Sequence, residues 1–127
     1  MNKLDSLTCF LRDIPDLELA VLVGSQADGI ATDQSDWDIA VQWENHINEW
    51  VRLERTEILR QQIAGVMEIH KDQIDLIDIP AARLAMRAVI AEEGIVLKGE
   101  GTLAWSHYLT RTWGELEDYY WRQSNAA

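Results

Sequence analysis

Gly24-Ser25-Gln26-Ala27-Asp28-Gly29-Ile30-Ala31-Thr32-Asp33-Gln34-Ser35-Asp36-Trp37-Asp38 is a Gly-Ser pair, a spacer of ten residues and an Asp-x-Asp. Two apolar runs bracket it. Leu19-Ala20-Val21-Leu22-Val23 reads as a buried strand, and Gly24 at its end permits a sharp turn at which backbone can approach phosphate oxygens. Ser25 adds a hydroxyl at that turn. Asp36-Trp37-Asp38 leads into Ile39-Ala40-Val41, a second strand. Residues two apart on a strand point to one face, so Asp36 and Asp38 share a side and Trp37 and Ile39 take the other. Two carboxylates about 7 Å apart at a strand edge are hard oxygen ligands suited to magnesium, which favours one or two carboxylates together with substrate phosphates. The stretch can thus hold a nucleoside triphosphate and two metal ions.

Outward from this core, residues 3 to 12 carry Leu4, Leu7 and Leu11 at helical spacing, with Ile14 in the same phase and Pro15-Asp16 breaking the pattern. After the second strand, near residues 37 to 43, Asn45 can cap a long helix whose apolar stripe is Ile47, Trp50, Val51, Ile58, Leu59, Ile63 and Val66. Gln73 to Ile79 is a β-branched run ended by Pro80, a third strand. Ala81 to Glu93 returns as a helix stopped by Gly94, Ile95 to Lys98 forms a fourth strand, and a last helix runs near residues 102 to 123. Strands alternating with helices predict an α/β (α+β) domain, a small mixed sheet flanked by helices, spanning residues 1 to 127 as a single unit. Strand order is not legible. A chain of this length has no room for a second catalytic lobe, so a larger site would be completed by another chain.

There are 22 Asp and Glu against 11 Lys and Arg, a net charge of -11, and the acidic residues are spread along the chain. That distribution argues against a nucleic acid held by phosphate contacts, which needs clustered cations, and favours a small molecule or a basic protein partner. The single Cys9 excludes an internal disulfide, and its apolar surroundings predict a buried role. No signal peptide and no membrane span is readable, which places the chain in the cytoplasm. His46, His70 and His107 are scattered without a zinc-ligand spacing. The last helix carries Trp105, Leu109, Trp113 and Leu116 as a stripe with Tyr119 and Tyr120 beyond it, which suits either packing on the sheet or docking of a partner.

The motif at Gly24, Ser25, Asp36 and Asp38 resembles that of the polymerase β-like nucleotidyltransferase superfamily, in which a Gly-Ser turn precedes a strand-borne Asp-x-Asp. The resemblance implies a third carboxylate early in an apolar strand. Asp75 and Asp78 are the candidates; three apart, they face opposite sides, and Ile74-Asp75-Leu76 matches the pattern better. Asp36, Asp38 and Asp75 would then be metal ligands and catalytic residues, with Gly24 and Ser25 helping to bind nucleotide. The small size and the Ser-Asp-Trp-Asp-Ile-Ala-Val core make the chain resemble the minimal nucleotidyltransferases, the MNT type. For that type the resemblance implies an antitoxin that transfers AMP from ATP, with two Mg2+ ions, onto a hydroxyl of a HEPN-domain RNase toxin. Two alternatives remain: nucleotidyl transfer to a small hydroxylated molecule such as an antibiotic, and an antitoxin that only binds. One departure is the lack of two Arg after the Gly-Ser pair, where this chain has Gln26-Ala27-Asp28; Lys71, Arg83 or Arg87, or a partner chain, are candidates to replace them, although Arg83 and Arg87 also fit a solvated face paired with Glu92 or Glu93.

Overall fold

Continuous apolar sequence makes Leu17–Val23 (β1) the centre of the sheet, because only a strand covered on both faces can bury nearly every side chain. The computed structural model describes residues 2–126. Its single sheet has the order β3-β2-β1-β4, where β2 is Trp37–Trp43, β3 is Ile74–Asp78 and β4 is Ile95–Lys98. β1 is antiparallel to both β2 and β4, and β2 is parallel to β3. A parallel pair needs a long crossover, which helix α3 (Glu49–Met67) supplies.

Alternation along the strands divides the core in two. Ala20, Leu22, Ile39, Val41 and Trp43 point to one face, where α1 (Lys3–Arg12) and α3 cover them with Leu7, Leu11, Leu59 and Ile63. Leu19, Val21, Val23 and Ala40 point to the other, closed by α4 (Leu84–Glu93) and α5 (Leu103–Ser124) through Ile90 and Tyr108. The mixed α/β architecture expected from the sequence is thus found. Among the described residues no helix is long and apolar enough to cross a membrane.

Several local expectations change. Asn48, not Asn45, caps α3: its side chain accepts from the Val51 N–H at 3.0 Å. The expected α3 stripe is buried only in part, at Ile47, Leu59 and Ile63. Trp50 (82 % exposed), Ile58 and Val66 face solvent, while Leu59, Ile63, Ala64 and Met67 are buried. Cys9 is exposed, because α1 turns only Leu7 and Leu11 fully inward. The helix expected from Ala81 begins at Leu84, after a 3-10 turn over Ile79–Ala81 that Pro80 favours. On α5 the buried line runs through Tyr108 and Thr112 with Trp105 and Leu109 at its side; Trp113 is mostly outside it.

Capping gives a direct check of this helix phase. Asn48→Ala should cost about 1 kcal/mol of stability in urea unfolding, since it orphans the Val51 N–H, and Asn45→Ala should cost little.

Candidate functional site

At the end of β1 the chain turns at Gly24 with φ +76°, a conformation that L side chains rarely adopt. A Cβ at this position would lie 2.5 Å from Asp38 Oδ2. Glycine is therefore required twice, for the backbone angle and for the approach of the turn to a carboxylate. Ser25 opens a helix of one turn, α2 (Ser25–Asp28), which the sequence reading treats only as a turn. The N–H groups of Ala27 and Asp28 both return to the Gly24 carbonyl, and Gly29 ends the turn in the left-handed region. The N–H groups of Ser25 and Gln26 fall at the start of a helix, where no intrahelical acceptor exists and anions are favoured.

Asp38 stands on β2 opposite Val23 of β1 on one side and Asp75 of β3 on the other. Directly paired residues on neighbouring strands share a face about 4.8 Å apart, so Asp38 and Asp75 are side by side. Asp36 is one residue before β2 and is exposed, as is Asp75. The Asp38 carboxyl is held above its ordinary pKa by burial first, then by the negative charges of Asp75 and Asp36. Three carboxylates with no cation among the causes of that shift form a donor set that a hard divalent ion fits.

Asp78 lies elsewhere. It shares the α3 face with Ile74 and Leu76, at the far end of β3, 3.8 Å from Arg52 Nη2. Burial raises its pKa and Arg52 opposes the rise, while its Oδ1 has no hydrogen-bond partner among the described residues. It does not cap the following turn.

The spacer is ordered by contacts that no pattern in the sequence announces. The Thr32 N–H donates to Ser35 Oγ (2.9 Å), the Ser35 N–H returns to the Thr32 carbonyl (3.0 Å), and Gln73 Nε2 reaches the Asp33 carbonyl (3.4 Å). Asp36 is thereby tied to the residues just before Asp75. The cations considered as substitutes for the missing Arg are placed differently from one another. Lys71 is exposed in the 3-10 turn that leads into β3, and its carbonyl accepts from Arg60 Nη1 at 3.0 Å. Arg83 is exposed at the start of α4. Arg87 pairs with Glu115 of α5, not with Glu92 or Glu93.

His46 belongs to a separate cluster. Its ligand atoms and those of Asp16 and Glu44 all lie within 4.8 Å of one another, the one such set among the described residues. Asp16 is engaged by Arg55 at 3.0 Å, and His46 Nδ1 lies 3.3 Å from Glu44 Oε2. Asp36, Asp38 and Asp75 do not form a set that tight.

Residues 5–101 match the family model described as polymerase beta, nucleotidyltransferase. The chain belongs to this nucleotidyltransferase family. No curated protein matches it. Among solved structures it is similar to a toxin-antitoxin complex with AMP-PNP, at 26% identity and a TM-score of 0.72, over 98% of this chain and 94% of that one. A mutant MntA-HpeT toxin-antitoxin is similar at 25% identity and a TM-score of 0.71, with the same coverage. At 24% identity, the fold is shared with a chain of the tri-AMPylated Shewanella oneidensis HEPN toxin in complex with MNT antitoxin (TM-score 0.65, 96% of this chain and 91% of that one). This nucleotidyltransferase carries a Gly-Ser turn and an Asp-x-Asp on adjoining strand ends.

Proposed function

We propose that this nucleotidyltransferase is the antitoxin of a HEPN-type toxin and silences it by transferring AMP from ATP to a toxin hydroxyl, that of a tyrosine. The observation that carries this reading is the pairing of Asp38 with Asp75 directly below the Gly24 turn, in a chain similar over nearly its whole length to a toxin-antitoxin complex with AMP-PNP. Asp36, Asp38 and Asp75 would hold two Mg2+ ions. When bound, such ions neutralise the triphosphate and make the acceptor hydroxyl easier to deprotonate.

The Gly24 turn and the first N–H groups of α2 seat the phosphates, and Ser25 adds a hydroxyl to them. Asp36 and Asp38 would hold the cation charge against which the triphosphate is aligned for attack in line at the α-phosphorus. Asp75, the exposed member of the cross-strand pair, takes the proton of the incoming hydroxyl. The acceptor oxygen bonds to the α-phosphorus, its bond to the bridging oxygen breaks, and pyrophosphate leaves with that electron pair. Alignment and charge do most of the work, with no covalent enzyme intermediate. A protein acceptor in the cytoplasm, not a nucleic acid, accords with the net charge of -11.

The test is transfer from ATP labelled at the α or the γ phosphate, with Mg2+, onto the HEPN-type protein encoded beside this chain. Retention of the α label and not the γ label, with loss of toxin activity, is expected. A toxin that is bound and inhibited without acquiring either label would replace transfer by occlusion; label appearing on a small hydroxylated compound instead would replace the protein acceptor.

A further inference from the structure

Three of the arginines in this acidic chain converge on one cleft, away from the carboxylates. Arg52 of α3, Arg87 of α4 and Arg111 of α5 line a cavity of about 420 Å³ at the far end of the sheet, with Gln42 of β2 in its wall. Gln42 follows Asp38 by four strand residues on the same face, so the two are about 13 Å apart. A phosphate held in the cleft is therefore not the one undergoing transfer.

The charges in the cleft are incompletely matched. Its one lining carboxylate, Glu18, accepts from Gln42 Nε2 at 3.2 Å. Behind the lining, a single carboxylate, Glu115, serves both Arg87 and Arg111, the latter at 3.3 Å with its side chain 78 % exposed. Arg52 meets Asp78 only at 3.8 Å, and its buried Nε donates to nothing among the described residues. Thr112, fully buried in the same wall, has an Oγ1 without a well-formed hydrogen bond; the Tyr108 hydroxyl beside it gives its proton to the Arg87 carbonyl. Buried polar atoms rarely go unpaired, and forked guanidiniums suit phosphate oxygens.

We propose that this cleft is a second ligand site, taking a small phosphate-bearing molecule of up to mononucleotide size. The volume falls in the range of small-ligand pockets. Arg111 closes on the anion from solvent, Arg52 Nε donates from the wall, and Thr112 Oγ1 contributes its hydroxyl. The site does not depend on the reaction proposed above.

Its test is titration of the 15N-labelled chain with inorganic phosphate and, separately, with AMP, in buffer containing chelator so that no metal fills the carboxylate site. Saturable shifts of the Gln42, Arg111 and Thr112 amides are expected. AMP binding much more tightly than phosphate identifies a nucleotide, and equal binding identifies phosphate itself. Arg111→Ala should weaken binding about tenfold or more, and Thr112→Val, which keeps the volume and removes the hydroxyl, about fivefold. The Asp36→Asn, Asp38→Asn variant should bind as the wild type does. Absence of saturable shifts for both probes, shifts confined to Gly24 and Ser25, or binding indifferent to Arg111→Ala and Thr112→Val would overturn the proposal. Absence of transfer by the wild type with cleft binding intact would count against the catalytic reading alone.

Discussion

Replacing Gly24 by alanine should lower AMP transfer by about 100-fold or more while leaving the domain folded. The added methyl meets Asp38 Oδ2 at 2.5 Å, so either the turn or the carboxylate must move. Displacement of a reacting group by about 1 Å can cost about 100-fold in rate. The φ of +76° adds backbone strain of about 1 to 3 kcal/mol, visible in urea unfolding. Gly29 separates the two effects, for it has a nearly equal φ of +75° but nothing within 4 Å of a Cβ. Gly29→Ala should therefore cost comparable stability and keep most of the transfer. If both variants lose transfer equally, the approach of the Gly24 turn to Asp38 has no special role.

Asp38→Asn should produce an enzyme that is more stable at neutral pH and about 1000-fold or more slower. The activity term follows from removing one of the three carboxylates that would hold the metal ions. The stability term follows from the sign of the pKa shift. Burial, Asp75 and Asp36 raise the folded-state pKa of Asp38, so the folded protein holds its proton more tightly than the unfolded chain. Stability is then lost as pH rises from the usual carboxylate value through the raised one, and ionised Asp38 is a standing cost above both. Thermal melts of the two proteins should coincide in acid, below the usual aspartate pKa, and separate as pH rises, with the variant the more stable. Added Mg2+ should reverse the order by stabilising the wild type, since a ligand that binds only the folded state raises its melting temperature. A variant less stable than the wild type across this range would mean that the carboxylate cluster is not under electrostatic strain.

How much of this was readable from the chain follows from the range of each interaction. Gly24, Ser25, Asp36 and Asp38 lie within one short stretch, and their disposition needs only a turn and the alternation of a strand. That Asp75 and Asp78 face opposite ways is also local. Which of them meets Asp38 depends on the parallel register Asp38 to Asp75, set by the α3 crossover and the packing of Ile74 and Leu76, and no window of sequence contains that information. The same applies to the tie from Gln73 to the Asp33 carbonyl across 40 residues. The α3 stripe was legible only in part, for a different reason. Trp50, Ile58 and Val66 are as apolar as Leu59 and Ile63, and the packing of α3 against α1 and the sheet decides which of them are covered. Capping could not be resolved by composition either, because Asn45 and Asn48 both precede α3 and only the chain path selects the second. The cleft lined by Arg52, Arg87 and Arg111 draws on three helices and has no sequence signature at all.

The measurement that bears most directly on the carboxylate assignment compares Asp75→Asn with Asp78→Asn for transfer of α-labelled AMP to the proposed toxin partner, at saturating Mg2+ and with folding checked for both. Asp75 is exposed and paired with Asp38; Asp78 lies on the opposite face beside Arg52. The expected result is near-complete loss of transfer for Asp75→Asn, and transfer within about threefold of wild type for Asp78→Asn, which lies away from the paired carboxylates. Full transfer by Asp75→Asn, or loss confined to Asp78→Asn, would contradict the site described above.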